Sequence, residues 1–436
     1  MSKNLHLISL GCTKNLVDSE VMLGRLKEYT LTDDAQSADV IIINTCGFID
    51  AAKQESISTI LEVHEVRKED SILVVSGCLS ERYREELAQE LPEVDIFTGV
   101  GDYAVIDELI AKRANRFSRS VYLVNENDER IITGSNYHAY IKISEGCNQV
   151  CSFCAIPSFK GKLRSRPLAS IIIEVQNLVK QGYYDFSFVS QDSSSYGRDI
   201  GYQEGLIDLI EAVEAIEGVV SARVLYLYPS TTSFALIDTI AASPIFQTYY
   251  DMPIQHIDDA MLKTMKRGFG ESKTLELLDY MRSKEGSFIR SAIIVGHPSE
   301  TQERFEKVCD FVQDFGFDRL SVFEYSNEET TKAHDMEQIE ESIKAQRAKK
   351  LGDIAMQTNR KALEKLIGTT MQVVIQGESD EHAYLLSARP LQWAFEIDGD
   401  ILINDTQDKP IEYGVIYQAQ ITQLAGDRLL ASILLQ

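Results

Sequence analysis

The chain has 436 residues, 44% of them hydrophobic, and 67 acidic against 43 basic side chains, for a formal net charge of −24. That length suffices for about three domains, and the apolar share is ordinary for a protein that buries real cores. The excess of acid argues against a broad phosphate-gripping surface, which needs clustered Lys and Arg, and no run approaches the roughly 20 apolar residues of a membrane span.

Met1 to Leu10 carries one Lys and runs straight into Gly11-Cys12, without the layout of a signal peptide. A cytoplasmic protein is therefore expected, and its seven cysteines point to metal or redox chemistry rather than to disulfides. The first third repeats one pattern. The apolar run Leu5–Leu10 leads to Gly11-Cys12 and an amphipathic stretch, Asn15–Tyr29. Val40–Ile43 leads to Cys46 and a helical stretch from Ala51 to about Val66; Ile72–Val75 leads to Gly77-Cys78 and Glu81–Leu91. Short buried strands alternating with helices predict an open parallel sheet, whose ligands gather beyond the carboxyl ends of the strands. Cys12, Cys46 and Cys78 each fall at that point of their own unit, so they are expected to meet in space.

Residues 113–133 are polar and mixed in charge, as a linker would be. From Tyr140 the alternation resumes, with strands predicted over Tyr140–Ser144, Phe186–Ser190, Val224–Tyr228, Tyr249–Ile254, Ala292–Val295 and Leu320–Tyr325. Six βα units in succession predict a full or partial barrel. Gln338–Leu366 reads as one long charged helix. Beyond Gly368 come short strands, Met371–Ile375, Tyr384–Ser387, Ile401–Ile403, Ile416–Leu424 and Leu429–Leu435, parted by turn signals. A small OB-like β-barrel fits them. The fold class is thus α/β with domains over 1–118, 133–335 and 368–436, the last joined through a helical linker, 336–367.

The sharpest motif is Cys147-x-x-x-Cys151-x-x-Cys154, straight after the first barrel strand. Thiolates are soft ligands suited to iron–sulfur clusters. Three of them on a four-iron cluster leave one iron without a protein ligand, open to a small molecule that can accept an electron, and S-adenosylmethionine has a suitable amine and carboxylate. Zinc normally wants a second ligand pair nearby, and none follows Cys154. Cys12, Cys46 and Cys78 singly resemble buried core thiols, but three equivalent placements argue for a second shared cluster. Cys309, in Phe305-x-x-Val308-Cys309-x-Phe311-Val312, lies on an apolar helix face and reads as core.

Weaker candidates line the expected rim. Phe153 sits between two ligating cysteines, where it can shield the cluster or pack on adenine. Ser190, Gln191 and Asp192 end the second barrel strand, where contact with the methionine end of the cofactor competes with a hydrogen-bonded loop. Gly296, in Val295-Gly296-His297-Pro298, brings backbone to the same rim or makes a plain turn. His256 reads as a structurally satisfied histidine. The basic run Lys344–Lys350 reads as a solvated helix face.

Leu10-Gly11-Cys12-Thr13-Lys14-Asn15-Leu16-Val17-Asp18-Ser19-Glu20, Asn44-Thr45-Cys46-Gly47-Phe48-Ile49 and Ser76-Gly77-Cys78 together resemble the N-terminal domain of the radical-SAM methylthiotransferases. Glu145-Gly146-Cys147-Asn148 through Cys154 resembles the radical-SAM core of that family, and the C-terminal barrel looks like its TRAM domain. The resemblance spans essentially the whole chain. Gly-Cys-x-Lys-Asn and Leu225-Tyr226-Leu227-Tyr228-Pro229 are similar to the RimO branch, which modifies an aspartate of the twelfth small-subunit ribosomal protein. The sister branch acting on tRNA more typically has Gly-Cys-Gln-Met-Asn.

The resemblance implies two [4Fe-4S] clusters, S-adenosyl-L-methionine, and a two-part reaction. Cleavage at the Cys147/Cys151/Cys154 cluster gives a 5′-deoxyadenosyl radical that removes hydrogen from the aspartate β-carbon. Sulfur at the open iron of the Cys12/Cys46/Cys78 cluster is then transferred as a methylthio group, its methyl from a second S-adenosylmethionine. An electron donor and a sulfur source are further partners. Thr13, His297, Ser299 and Phe395 stand where the family usually has Pro, Phe, Gly and Pro, and no Gly-Gly-Glu follows the second strand.

Ile367–Gln436 holds ten Asp or Glu and three Arg or Lys, a balance of −7. A barrel gripping tRNA should be basic, whereas an acidic one can dock a basic ribosomal protein; an acidic solvated surface is the plain alternative. This argues against nucleic acid as the direct substrate. The rival readings are a tRNA adenosine methylthiotransferase and a non-catalytic iron–sulfur carrier.

Overall fold

The computed structural model describes residues 3–434 apart from 383, 408 and 409. Met1 and Ser2, at the start expected to lack a signal peptide, and Leu435, at the end of the last expected strand, lie outside the described residues. The apolar runs of the first hundred residues form a parallel sheet. Its strands are β1 (Asn4–Ser9), β2 (Thr30–Leu31), β3 (Val40–Thr45), β4 (Ile72–Gly77) and β5 (Ile96–Phe97), in the order β2-β1-β3-β4-β5. β3 and β4 are buried along their whole length, which suits runs of Val and Ile covered on both faces. Ser9 pairs with Asn44 and Asn44 with Ser76. The three strands therefore end level, and the turns carrying Cys12, Cys46 and Cys78 leave from one edge. The helix expected over Glu81–Leu91 is instead two short ones, Cys78–Arg82 and Arg84–Glu90, broken at Tyr83.

The linker is tied down. Arg130 is buried between Glu20 of the helix Thr13–Arg25 and Glu174 of the helix Leu168–Lys180. Beyond it run β6 (His138–Lys142), β7 (Ser144–Glu145), β8 (Arg164–Ser165), β9 (Asp185–Val189), β10 (Ser221–Val224), β11 (Tyr249–Asp251), β12 (Phe288–Val295) and β13 (Arg319–Glu324). β7 and β8 make a small antiparallel pair. The others form two parallel sheets, β10-β9-β6 and β11-β12-β13. A bridge between Ala222 and Phe246, and the Leu227 N–H donated to the Asp251 carbonyl at 2.7 Å, link the two sheets. Six strands thus stand side by side in chain order, a partial barrel with its helices outside.

β10 stops at Val224, short of the expected Tyr228. Tyr226 takes a left-handed conformation (φ 63°), and its N–H is held by the Asp251 carboxylate at 3.0 Å. Leu225–Tyr228 therefore leaves the sheet and turns over the barrel mouth. The long helix Glu341–Glu364 packs along β13 and the helix Gln302–Phe315. The expectation that Lys344–Lys350 is a solvated face fails at two positions. Lys344 is buried under Gly296, and Arg347 is buried against Glu300, donating to its carboxylate at 2.6 Å.

The last five strands, β14 (Thr370–Glu378), β15 (Leu386–Pro390), β16 (Ile401–Asp405), β17 (Ile416–Ala425) and β18 (Arg428–Ile433), close a barrel in the order β14-β15-β16-β18-β17. β16 and β18 run parallel and the other neighbours antiparallel, which is the OB arrangement. The segment between β15 and β16 enters the central barrel from the N-terminal ends of its strands. There Phe395 stacks on His138 at 4.8 Å, and Asp398 accepts the Tyr249 hydroxyl at 2.8 Å. Arg389 and Arg223 clasp the buried Asp185 between the two domains. The small barrel is a floor for the central one. Among the described residues no helix is long and apolar enough to cross a membrane.

Candidate active site

One cavity of about 750 Å³ lies where the strand ends of the first two domains face each other, and Cys12, Cys46, Cys78, Cys147, Cys151 and Cys154 all line it. Asn15 organises the first trio. Its buried amide donates to the carbonyls of Leu10 and Thr45 at 3.1 Å each, and its carbonyl oxygen accepts from the Cys78 thiol at 3.6 Å. One side chain thus ties all three cysteine turns together. Ser56 fixes the middle turn by accepting the Cys46 N–H at 3.1 Å and donating to its carbonyl at 3.0 Å. The turn before Cys78 needs glycine. Gly77 has φ +97°, and a Cβ there would sit 2.4 Å from the Asn44 side-chain oxygen.

The second trio sits on the loop after β7. Gly146 (φ +74°) lets the chain pass the Lys162 carbonyl, and the Cys147 N–H then bonds the Gly161 carbonyl at 3.1 Å. Ser152 anchors the middle of the loop. Its N–H reaches Met265 and its carbonyl accepts from Ala333, both at 2.9 Å, while its hydroxyl meets His297 at 3.2 Å. Arg267 lies over the Tyr228 ring at 4.1 Å and points a guanidinium N–H at the Cys151 sulfur, 3.6 Å away.

Burial pushes the Cys46 and Cys147 thiols up to about 11, and those of Cys78 and Cys154 up to about 12. Within each trio the neighbouring sulfurs add to that push. Cationic iron held among them would reverse it, because a metal-bound thiol is deprotonated. Among the described residues no three His, Cys, Asp or Glu side chains converge closely enough for a single metal ion. The donor chemistry, soft sulfur without competing imidazole, suits iron–sulfur clusters. Cys309 stands apart, buried with Phe305, Val308 and Val312.

Of the weaker candidates, Phe153 and Gln191 line the cavity. Phe153 meets His297 edge-on at 6.4 Å, and Gln191 donates to Glu145. Ser190 and Asp192 are buried behind the wall. Asp192 caps the turn Ser193–Ser195, accepting from the Ser195 N–H and from the Gln149 amide at 2.7 Å. Gly296 is covered by Lys344. His256 accepts the N–H groups of Ile257 and Asp258, both at 3.0 Å. Sequence reasoning missed Lys14, Tyr226, Arg267 and Arg290 on the wall, as well as Glu396 and Ile397, which reach the cavity from the C-terminal domain. Lys14, in Gly11–Asn15, and Tyr226, in Leu225–Pro229, carried a signal, which came from family likeness.

Fold and site together define a radical-SAM protein with an additional thiol-bearing α/β domain. Residues 4–99 match the model of an uncharacterized protein family, UPF0004; residues 141–312 match the Radical SAM superfamily, and 367–434 the TRAM domain. A solved radical S-adenosylmethionine methyltransferase, TsrM from Kitasatospora setae, shares the fold with a TM-score of 0.56 at 15% identity, over 77% of this chain and 74% of that one. Three curated relatives carry the name ribosomal protein uS12 methylthiotransferase RimO. That of Sulfurovum sp. (strain NBC37-1) is 69% identical over 99% of this chain and 98% of its own. That of Sulfurimonas denitrificans is 61% identical over 99% of each. That of Campylobacter jejuni (strain RM1221) is 57% identical over 100% of this chain and 99% of its own. The chain belongs to the RimO family of radical-SAM methylthiotransferases, whose superfamily chemistry rests on an iron–sulfur cluster and S-adenosylmethionine.

Proposed function

We propose that this enzyme adds a methylthio group to the β-carbon of an aspartate in ribosomal protein uS12, in the cytoplasm, using two [4Fe-4S] clusters. The observation that carries the reading is the single cavity onto which both thiol trios open. Cys147, Cys151 and Cys154 would hold the cluster that engages S-adenosylmethionine, and Cys12, Cys46 and Cys78 the cluster that presents sulfur. When bound and reduced, the former supplies the electron that breaks a carbon–sulfur bond of S-adenosylmethionine, and so the radical chemistry that an unactivated C–H bond demands.

The chain's own residues orient and exclude. Phe48, Ile49, Ile294 and Phe323 give the cavity apolar walls, which keep water from a reactive centre. Glu145, held down to about 2 by Lys142 and Lys160 against its burial, fixes the Gln191 amide beside the second trio. The C-terminal domain, with its charge balance of −7, favours a basic protein partner over nucleic acid. An electron donor and a sulfur source complete the reaction.

The test is anaerobic incubation of iron- and sulfide-loaded protein with purified uS12, S-adenosylmethionine and a reductant. One methylthio group on an aspartate of uS12 is the expected product. Thiolated tRNA with unmodified uS12 would establish the adenosine-modifying reading instead, and absence of deoxyadenosine would leave only the carrier.

A further inference from the structure

We propose that Lys14 is the specificity residue that holds the side-chain carboxylate of the target aspartate. The inference rests on the functional reading above. A substrate carbon that must meet the chemistry of both trios has to lie in the cavity they share. An aspartate entering that cavity brings a negative charge among apolar walls, and such a charge needs a cationic partner.

Four cations line the cavity: Lys14, Lys160, Arg267 and Arg290. Lys160 is engaged by Glu145 at 3.5 Å and Asp18 at 3.7 Å. Arg290 is engaged by Asp251 at 2.9 Å and Asp398 at 3.6 Å. Arg267 is turned to the Pro253 carbonyl, the Tyr228 ring and the Cys151 sulfur. The Lys14 ammonium instead lies 3.4 Å from the centroid of the Tyr226 ring, and among the described residues no carboxylate is within ion-pair distance of it. A ring face attracts the ammonium but leaves N–H groups to donate elsewhere.

The position fits the task. Lys14 is the second residue of the helix Thr13–Arg25, two positions after Cys12, while Tyr226 belongs to the loop that leaves the central barrel after Val224. The ammonium therefore stands at the seam between the two halves of the site. In aspartate the β-carbon is one bond from the carboxyl carbon. Gripping the carboxylate there fixes the β-hydrogens relative to both trios, which is the orientation a radical transfer requires. Asparagine has the same shape without the charge, so the pairing also discriminates between them.

The experiment measures binding of purified uS12, and of uS12 with its target Asp changed to Asn, to the loaded wild-type, Lys14→Met and Lys14→Arg enzymes. Binding of S-adenosylmethionine is measured alongside. Wild type should prefer the Asp form by about tenfold, the usual scale for a charged hydrogen bond. Lys14→Met should bind both forms alike, and Lys14→Arg should keep the preference. A wild-type enzyme indifferent to the exchange overturns the proposal however the variants fold. So does a preference that survives in Lys14→Met, or a loss confined to S-adenosylmethionine. A wild-type enzyme that binds neither form overturns the functional reading itself.

Discussion

Asp18 of the N-terminal helix and Lys142 of the first barrel strand form an ion pair with neither side chain exposed. Glu145 at 2.9 Å from Lys142, and Lys160 at 3.5 Å from Glu145, complete a balanced group of two carboxylates and two ammoniums. It lies between the turn of Cys12 and the loop of Cys147, so it sets how the halves of the cavity face each other. Asp18→Asn leaves two buried lysines to one carboxylate. The expected loss is about 3–5 kcal/mol, the usual cost of breaking a buried pair from one side. Urea unfolding of the metal-free protein measures it, and a loss below about 1 kcal/mol, the scale of an exposed pair, would mean the group does not hold the domains together.

The two trios should be separable by substitution. Cys46 is fixed by Ser56 within its own turn, and the Cys147–Cys154 loop by Gly161, Met265 and Ala333 of the central domain. Cys151→Ala is expected to abolish deoxyadenosine formation. Cys46→Ala is expected to spare it, to lower bound iron by about half and to stop methylthio transfer. Product chromatography and iron analysis on the same samples check both, and the reverse pattern would exchange the roles assigned to the trios.

What could be read in the sequence was what leaves a local trace. Parallel strands buried on both faces appear as unbroken runs such as Val40–Ile43, and a cysteine after each run needs only the level ending of the strands to become part of a trio. Ser190 and Asp192 were harder, because their hydroxyl and carboxylate are consumed by the turn they begin. Lys344 and Arg347 look solvated in a charged helix, yet the helix is laid against the barrel and covers them. Least legible was the entry of Trp393–Asp398 into another domain. Phe395, where the family usually has proline, stacks there on His138, a partner 257 positions away in sequence and only 4.8 Å away in space.

Gly77 offers a steric test of the first trio. Alanine there must overlap the Asn44 side-chain oxygen at 2.4 Å and the Thr45 carbonyl at 2.5 Å, in a backbone conformation at φ +97° that L-residues avoid. Relief requires the turn to shift, carrying Cys78 away from Asn15. Gly77→Ala is therefore expected to lose the iron proposed for the first trio, about half the total if both trios hold equal clusters, with that proposed for the second retained. Iron analysis and deoxyadenosine formation measure the two separately, and full iron loading would show that the turn accommodates a side chain.

The joint with the C-terminal barrel should weaken in acid. Burial holds the His138 imidazole well below its ordinary value of 6.5, with Arg389 and Arg223 adding to the effect and Asp185 opposing it. The ring is enclosed by Tyr140 and Phe395 and meets the Ser187 hydroxyl at 2.9 Å. Below pH 6.5 the unfolded chain takes up a proton here that the folded chain refuses, so this contribution is complete above pH 6.5 and declines as the pH falls. The slope for one proton is at most about 1.4 kcal/mol per pH unit. His138→Phe keeps an aromatic ring against Phe395 and removes the titration. Denaturant midpoints between pH 7 and pH 5 should fall less steeply in that variant than in wild type, and parallel curves would place the acid sensitivity of the joint in its carboxylates instead.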